Sequence, residues 1–165
     1  MADTGKRQIF ITIFTGKWRE SKREKSGKNL ENKQKMKINK EQLQVYAVTD
    51  TKSIRKERYA TLCDAVEAAI KGGATIVQLR EKELSEDTFL AEAKEIKKLT
   101  QRYGVPLIIN DNVALAKACQ ADGVHLGQGD MPVEEARAIL GDAAIIGVSA
   151  HNVEEALLAE KQGAD

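Results

Sequence analysis

Three features of the sequence predict an α/β fold built on a parallel sheet. From residue 44 onward, five short apolar β-type runs alternate with five segments whose apolar residues recur at helical spacing. The strand-like runs are almost continuously apolar, as expected where both faces of a sheet are covered. Glycines stop several helical segments, at Gly72-Gly73, Gly104 and Gly163. Strict alternation of this kind implies parallel strands joined by right-handed crossovers.

The elements follow in order. Residues 45–49 (VYAVT) read as the first strand and 59–71 as the first helix, with Leu62, Ala65, Val66, Ala69 and Ile70 on one face. Residues 75–79 (TIVQL) form the second strand. Ser85 is placed to cap a second helix that runs to about Tyr103, its stripe being Phe89, Leu90, Ala93, Ile96 and Leu99. Residues 106–110 (PLIIN) are the third strand and 113–120 the third helix. Residues 123–126 (GVHL) are the fourth strand. Pro132 suits the first turn of a fourth helix reaching Leu140. Residues 144–148 (AIIGV) are the fifth strand, and Asn152 caps a fifth helix that ends near Gln162-Gly163.

A small repeat marks the helix-to-strand junctions: GGAT at 72–75, QADG at 120–123 and QGAD at 162–165. By that pattern a further strand is expected after residue 165, so the chain reads as the front part of a longer barrel. The alternative is a complete five-stranded open sheet.

Composition bounds the rest. The 165 residues carry 26 Lys+Arg against 25 Asp+Glu, but the charges are segregated. Residues 1–43 hold 12 basic and 5 acidic side chains, and residues 44–165 hold 14 and 20. We therefore expect a basic, flexible, low-complexity N-terminal extension over 1–43 and a domain over 44–165. Residues 15–42 have few apolar side chains to offset ordering entropy. Met36 is a natural start for the domain, which would leave 1–35 without functional weight. Nucleic-acid binding by the basic segment is not expected, since within residues 15–42 Trp18 is the one aromatic residue for base stacking. No apolar run approaches the roughly 20 residues of a membrane span. Residues 9–14 (IFITIF) are too short for a signal peptide and lack a small-residue cleavage site. Cys63 and Cys119 are far apart in expected helices and read as reduced, partly buried thiols, consistent with a cytoplasmic protein.

In parallel α/β folds the site forms at the carboxyl ends of the strands. Those ends carry Tyr46, Thr49 and Asp50; Gln78, Arg80, Glu81 and Lys82; Asn110 and Asp111; His125, Gln128 and Asp130; and Ser149, His151 and Asn152. Gln78, Arg80 and Lys82 share one parity, so two cations and an amide face the same way if the chain stays extended. That set suits a diphosphate. Asp111 and Asp130, at adjacent strand ends, suit Mg²⁺ bridging diphosphate oxygens. Each could instead be a helix N-cap. Gly127 and Gly129 let backbone approach a ligand. His125 reads as a packed structural histidine or an acid/base. Ser149 reads as a hydroxyl donor to an anionic ligand. No Cys/His cluster suggests zinc, and no P-loop motif is present.

Five segments, in order and at matching spacing, resemble the thiamine-phosphate synthase family: VYAVTD at 45–50, GGATIVQLREK at 72–82, PLIINDNVALA at 106–116, ADGVHLGQGD at 121–130 and GVSAH at 147–151. The resemblance spans about residues 44–165. It implies a (β/α)8 TIM barrel of which this chain holds about the first five β/α units. It implies a transferase of thiamine biosynthesis that joins 4-amino-5-hydroxymethyl-2-methylpyrimidine diphosphate to a thiazole phosphate, giving thiamine phosphate and diphosphate. On that likeness Gln78, Arg80 and Lys82 hold the pyrimidine diphosphate, and Asn110 and Ser149 contact it. Tyr46 lines the pyrimidine pocket, and Asp111 and Asp130 bind Mg²⁺. Arg80 and Lys82 stabilise the leaving diphosphate. The partners implied are the two small-molecule substrates. The family's Thr-x-Thr-Lys segment and its later glycine loops, which serve the thiazole phosphate, have no counterpart in these residues, so little or no synthase activity is expected of the 165 residues alone. The rival readings are a thiazole tautomerase-like isomerase of the sister family, against which Asp130 within GQGD argues, and a non-catalytic fragment.

Overall fold

The computed structural model describes residues 11–12, 38–39, 41–50 and 59–165. Most of the basic segment expected to be flexible, residues 13–37, lies outside them. A six-stranded sheet runs in chain order: β1 (Ile11–Thr12), β2 (Tyr46–Val48), β3 (Ile76–Leu79), β4 (Leu107–Asn110), β5 (Gly123–Leu126) and β6 (Ile145–Val148). The five strands expected from the sequence are β2–β6, all mutually parallel. The sixth, β1, lies antiparallel to β2, with Ile11 opposite Ala47 and Thr12 opposite Tyr46. Its two residues belong to the apolar run at 9–14, which adds an edge strand to the sheet.

Five helices follow the parallel strands: α1 (Leu62–Lys71), α2 (Glu86–Arg102), α3 (Val113–Ala118), α4 (Val133–Leu140) and α5 (Val153–Lys161). α1 begins three residues later than its periodicity suggested. Thr61 and Asp64 form a reciprocal capping box there, satisfying backbone N–H groups that would otherwise lack partners. Ser85, Asn112 and Asn152 cap α2, α3 and α5 through their side chains. α3 stops at Ala118, two residues short of the expected end, because Gln120 turns into the left-handed region at φ 55°. Cys119 is thus a buried C-cap, and both cysteines are free. Burial pushes both thiols upward from their ordinary value.

One parity of strand residues (Val77, Leu79, Leu107, Ile109, Val124, Leu126, Ile146) packs against the apolar stripes of α1–α4 in a single core. Ile96 and Leu107 are fully buried, each such side chain contributing roughly 1.5–3 kcal/mol. The other parity faces the opposite side of the sheet. There Ile76, Ile108 and Ile145 form a second cluster, closed by Ile38 and by the half-buried Leu43 and Tyr46. Packing therefore begins before residue 44. Ile38, at the end of the basic stretch, is 5% exposed and covers the amino-terminal end of this face. Helices on one face of a sheet in sequential strand order give the winding of a barrel wall. A doubly wound sheet would carry helices on both faces.

A latch recurs at alternate junctions. At the start of β5 the Asp122 N–H donates to Leu107 O (2.8 Å), while its carboxylate accepts the Leu107 N–H (2.7 Å) and Lys97 Nζ of α2 (2.7 Å). Asp165 repeats this against β6: its N–H donates to Ile146 O (2.8 Å), and its carboxylate accepts the Ile146 N–H (2.9 Å) and Arg137 Nη2 of α4 (2.7 Å). These are the QADG and QGAD repeats in physical form.

Candidate active site

The carboxyl ends of β2–β6 gather the polar residues. Above the isoleucine layer, Gln78 is 5% exposed, and its amide nitrogen donates to Asn110 Oδ1 at the end of β4. Burying an amide is tolerated only when it is hydrogen-bonded. Thr49 straps the ends of β2 and β3: its Oγ1 accepts the Arg80 N–H (3.0 Å) and its hydroxyl donates to Arg80 O (3.4 Å). Beyond Arg80 the chain does not stay extended. Glu81 Oε1 accepts the N–H groups of Lys82 (2.7 Å) and Glu83 (2.8 Å), which turns the backbone. The shared parity expected of Arg80 and Lys82 is lost, yet both cations still act on one target, the carboxylate of Asp111.

Asp111 is the centre of the arrangement. Its carboxyl is pushed above the ordinary carboxylate range, first by partial burial and then by the hydrogen-bonding proximity and negative charge of Asp130, while Arg80 and Lys82 pull it back. Its backbone sits at φ 63°, a region costly for a side-chain-bearing residue, and its N–H is tied to His125 O at 2.8 Å. Asp130 Oδ2 accepts the Gly127 N–H at 2.6 Å, folding the 127–130 loop back toward Asp111. Neither aspartate is a helix N-cap. Asn112 caps α3, and α4 starts after Pro132 with no side-chain cap. Asn112 thus takes the capping role at α3, α4 has no side-chain cap, and two carboxylates are left facing one another. Among the described residues, no group of three or more His, Cys, Asp or Glu side chains gathers to hold a metal. A divalent ion here would have two protein carboxylates and would take its other ligands from phosphate and water.

On the neighbouring strands, His125 Nε2 lies 2.8 Å from Ser149 Oγ, and Gln128 Nε2 donates to Ser149 O at 2.7 Å. Burial pushes the imidazole down from its ordinary value, partly offset by Asp130. A Cβ at Gly147 would stand 2.7 Å from His125 Nδ1, so glycine makes room for the ring. Tyr46 sits lower, its Cα paired with Ile76, and packs on the isoleucine cluster. Burial pushes its phenol upward. His151 lies apart and pairs with Glu155 at 3.0 Å.

The structure thus brings together Gln78 with Asn110 and Asp111 with Asp130, with Arg80 and Lys82 near enough to act by charge on Asp111. It places Ser149 beside His125 and Tyr46 one layer deeper. Reading by type and spacing left His125 among packed histidines and did not connect it to Ser149. Their signal was parity: His125 faces the same side as Asn110, its Cα partner.

Comparison with known proteins follows the same boundaries. Residues 45–165 match the family model described as thiamine monophosphate synthase. The chain is 53% identical over 121 residues to a thiamine-phosphate synthase of Clostridium novyi, covering 73% of this chain and 58% of that protein. It is 56% identical over 120 residues to the Clostridium acetobutylicum enzyme, covering 73% and 56%. It is also 50% identical over 128 residues to a chloroplastic thiamine biosynthetic bifunctional enzyme of Arabidopsis thaliana, covering 78% of this chain and 24% of that protein. The solved thiamine phosphate pyrophosphorylase of Pyrococcus furiosus superposes with a TM-score of 0.64 at 39% identity, covering 73% and 56%. The chain spans somewhat more than half the length of the bacterial relatives it matches. With a family match over 121 of its 165 residues and a shared fold, the chain belongs to the thiamine monophosphate synthase family.

Proposed function

We propose that these residues form the pyrimidine-diphosphate and metal half of a thiamine-phosphate synthase site, acting in the condensation of 4-amino-5-hydroxymethyl-2-methylpyrimidine diphosphate with a thiazole phosphate. The observation that carries this reading is the pair Asp111 and Asp130, held against one another with Arg80 and Lys82 acting on the same carboxylate. Two facing carboxylates are costly unless a cation is shared between them. That donor set fits Mg²⁺ held by Asp111 and Asp130. The ion would supply neutralisation of charge on diphosphate oxygens.

The chain's own residues account for the rest. Arg80 and Lys82 meet the negative charge that grows as diphosphate leaves the pyrimidine methylene. Gln78, oriented by Asn110, presents its amide to the pyrimidine, and Tyr46 closes the floor below it. Ser149 donates its hydroxyl to the same substrate. This chemistry depends on positioning and electrostatics rather than a strong base. A small-molecule enzyme acting in the cytoplasm is the setting that agrees with it. Among the described residues no helix is long and apolar enough to cross a membrane. The thiazole phosphate is not provided for by these strand ends, so the isolated chain should bind the pyrimidine diphosphate and turn over little.

Titration calorimetry of the pyrimidine diphosphate, with and without Mg²⁺, tests this on the wild-type chain and an Asp111→Ala, Asp130→Ala double variant. Binding that needs Mg²⁺ and is lost in the variant is the expected result. No binding by a chain that circular dichroism shows to be folded would reject the assignment.

A further inference from the structure

We propose that His125 is a positioning residue whose Nε2–H donates to the Ser149 hydroxyl oxygen, so that the hydroxyl's own proton is committed to the bound pyrimidine diphosphate. The proposal rests on the reading of the site given above and deepens it. Three observations carry it. First, the 2.8 Å contact between His125 Nε2 and Ser149 Oγ can run in either direction, depending on the tautomer. Second, Nδ1 is pressed against Gly147, where even a Cβ would come within 2.7 Å, and among the described residues it has no hydrogen-bond partner. Among the described residues no acceptor faces Nδ1, whereas Nε2 has the Ser149 oxygen within reach, so we place the proton on Nε2.

Third, Ser149 is otherwise immobilised. Its N–H donates to Leu126 O at 2.9 Å and its carbonyl accepts Gln128 Nε2 at 2.7 Å. With its backbone fixed from both sides, the remaining freedom is rotation about Cα–Cβ and of the hydroxyl, and the His125 contact restrains both. An imidazole N–H occupying one lone pair removes that freedom and leaves the serine as a donor. The donor stands at the mouth of the site, since His125 lies opposite both Asn110 and Gly147 in the sheet register. Gly147 is then part of the device, as the clearance that lets the ring reach Ser149.

The test uses the intact 165-residue chain. It holds two histidines, so long-range ¹H–¹⁵N spectra show two imidazoles, and His151→Asn assigns them. His125 should appear as the Nε2–H tautomer, with its Nε2 resonance moved by Ser149→Ala. An Nδ1–H tautomer, or a spectrum indifferent to Ser149→Ala, would overturn the proposal. In calorimetry with pyrimidine diphosphate and Mg²⁺, His125→Ala and Ser149→Ala should each weaken binding by about tenfold, the worth of one hydrogen bond to a charged group. The double variant should be no weaker than either single one, and His125→Gln, which keeps an N–H near the same place, should recover part of the loss. Losses that multiply in the double variant would refute the coupling. Failure of the wild-type chain to bind the diphosphate would instead sink the functional reading, and the spectra would still decide the positioning.

Discussion

Replacing Asp111 by asparagine should make the metal-free protein more stable, and replacing it by alanine should make it less stable. Both substitutions remove a carboxylate that ionises against Asp130. The group is exposed to solvent, so relief of the repulsion is screened and amounts to about 0.5 kcal/mol. The backbone separates the two variants. At φ 63° asparagine is among the best-tolerated side chains, whereas alanine costs roughly 1 kcal/mol. The net expectation is a gain of about 0.5 kcal/mol for Asn and a loss of about 0.5 kcal/mol for Ala. Their difference corresponds to roughly 4 °C in melting temperature for a folded unit of this size. The pH dependence follows from the upward shift. The folded protein binds this proton more readily than the unfolded chain, so wild type is penalised above the folded value. The Asn and wild-type curves should therefore separate at neutral pH and converge as pH falls through that value. Thermal unfolding in low salt, across pH and with Mg²⁺ added, measures this. Mg²⁺ should stabilise wild type and leave both variants nearly unmoved. An Asn variant less stable than wild type at neutral pH without metal would refute the electrostatic argument.

Three further outcomes are expected. Gly147→Ala drives a methyl group into His125 and should cost about 1–3 kcal/mol in urea unfolding, whereas Gly129→Ala, with open space around it, should cost far less. Arg137→Met breaks the bonds to Asp165 and to the Ala144 and Gly163 carbonyls; a loss of about 2 kcal/mol is expected, and a loss under half that would show the latch to be weak. His125 is held below its ordinary value, so the unfolded chain takes up its proton first, and stability should fall as pH drops below about 6.5. His125→Gln should flatten that slope between pH 8 and 5, and an unchanged slope would place its origin elsewhere.

The parallel units were legible because each strand is a short apolar run and each helix has a cap and a stripe. Ser85 and Asn152 cap where side-chain type suggested. What escaped the reading was tertiary. Ile38 and the pair Ile11–Thr12 sit in stretches too polar or too short to announce themselves, and they acquire meaning only from the isoleucine cluster and the edge of β2. Asp111 and Asp130 could be named from their place at strand ends. That neither caps a helix depended on Asn112 and on the geometry at Pro132. Lys82 illustrates the limit of parity: one glutamate oxygen accepting two backbone N–H groups was enough to end the extended run.

The aspartate latches have a consequence for how such a chain reaches its fold. Each ties the residues that follow a helix back to the strand that precedes it, across 15 or 19 residues, and recruits a cation 25 or 28 residues away. None spans the sheet. Coupling of this kind is nearest-neighbour, closer to the energetics of a repeat array than to those of a core that must condense all at once. A growing chain could therefore secure each β/α unit to its predecessor as it emerges, without waiting for the ring to close. Unfolding would begin at an edge of the sheet and travel inward, one latch at a time.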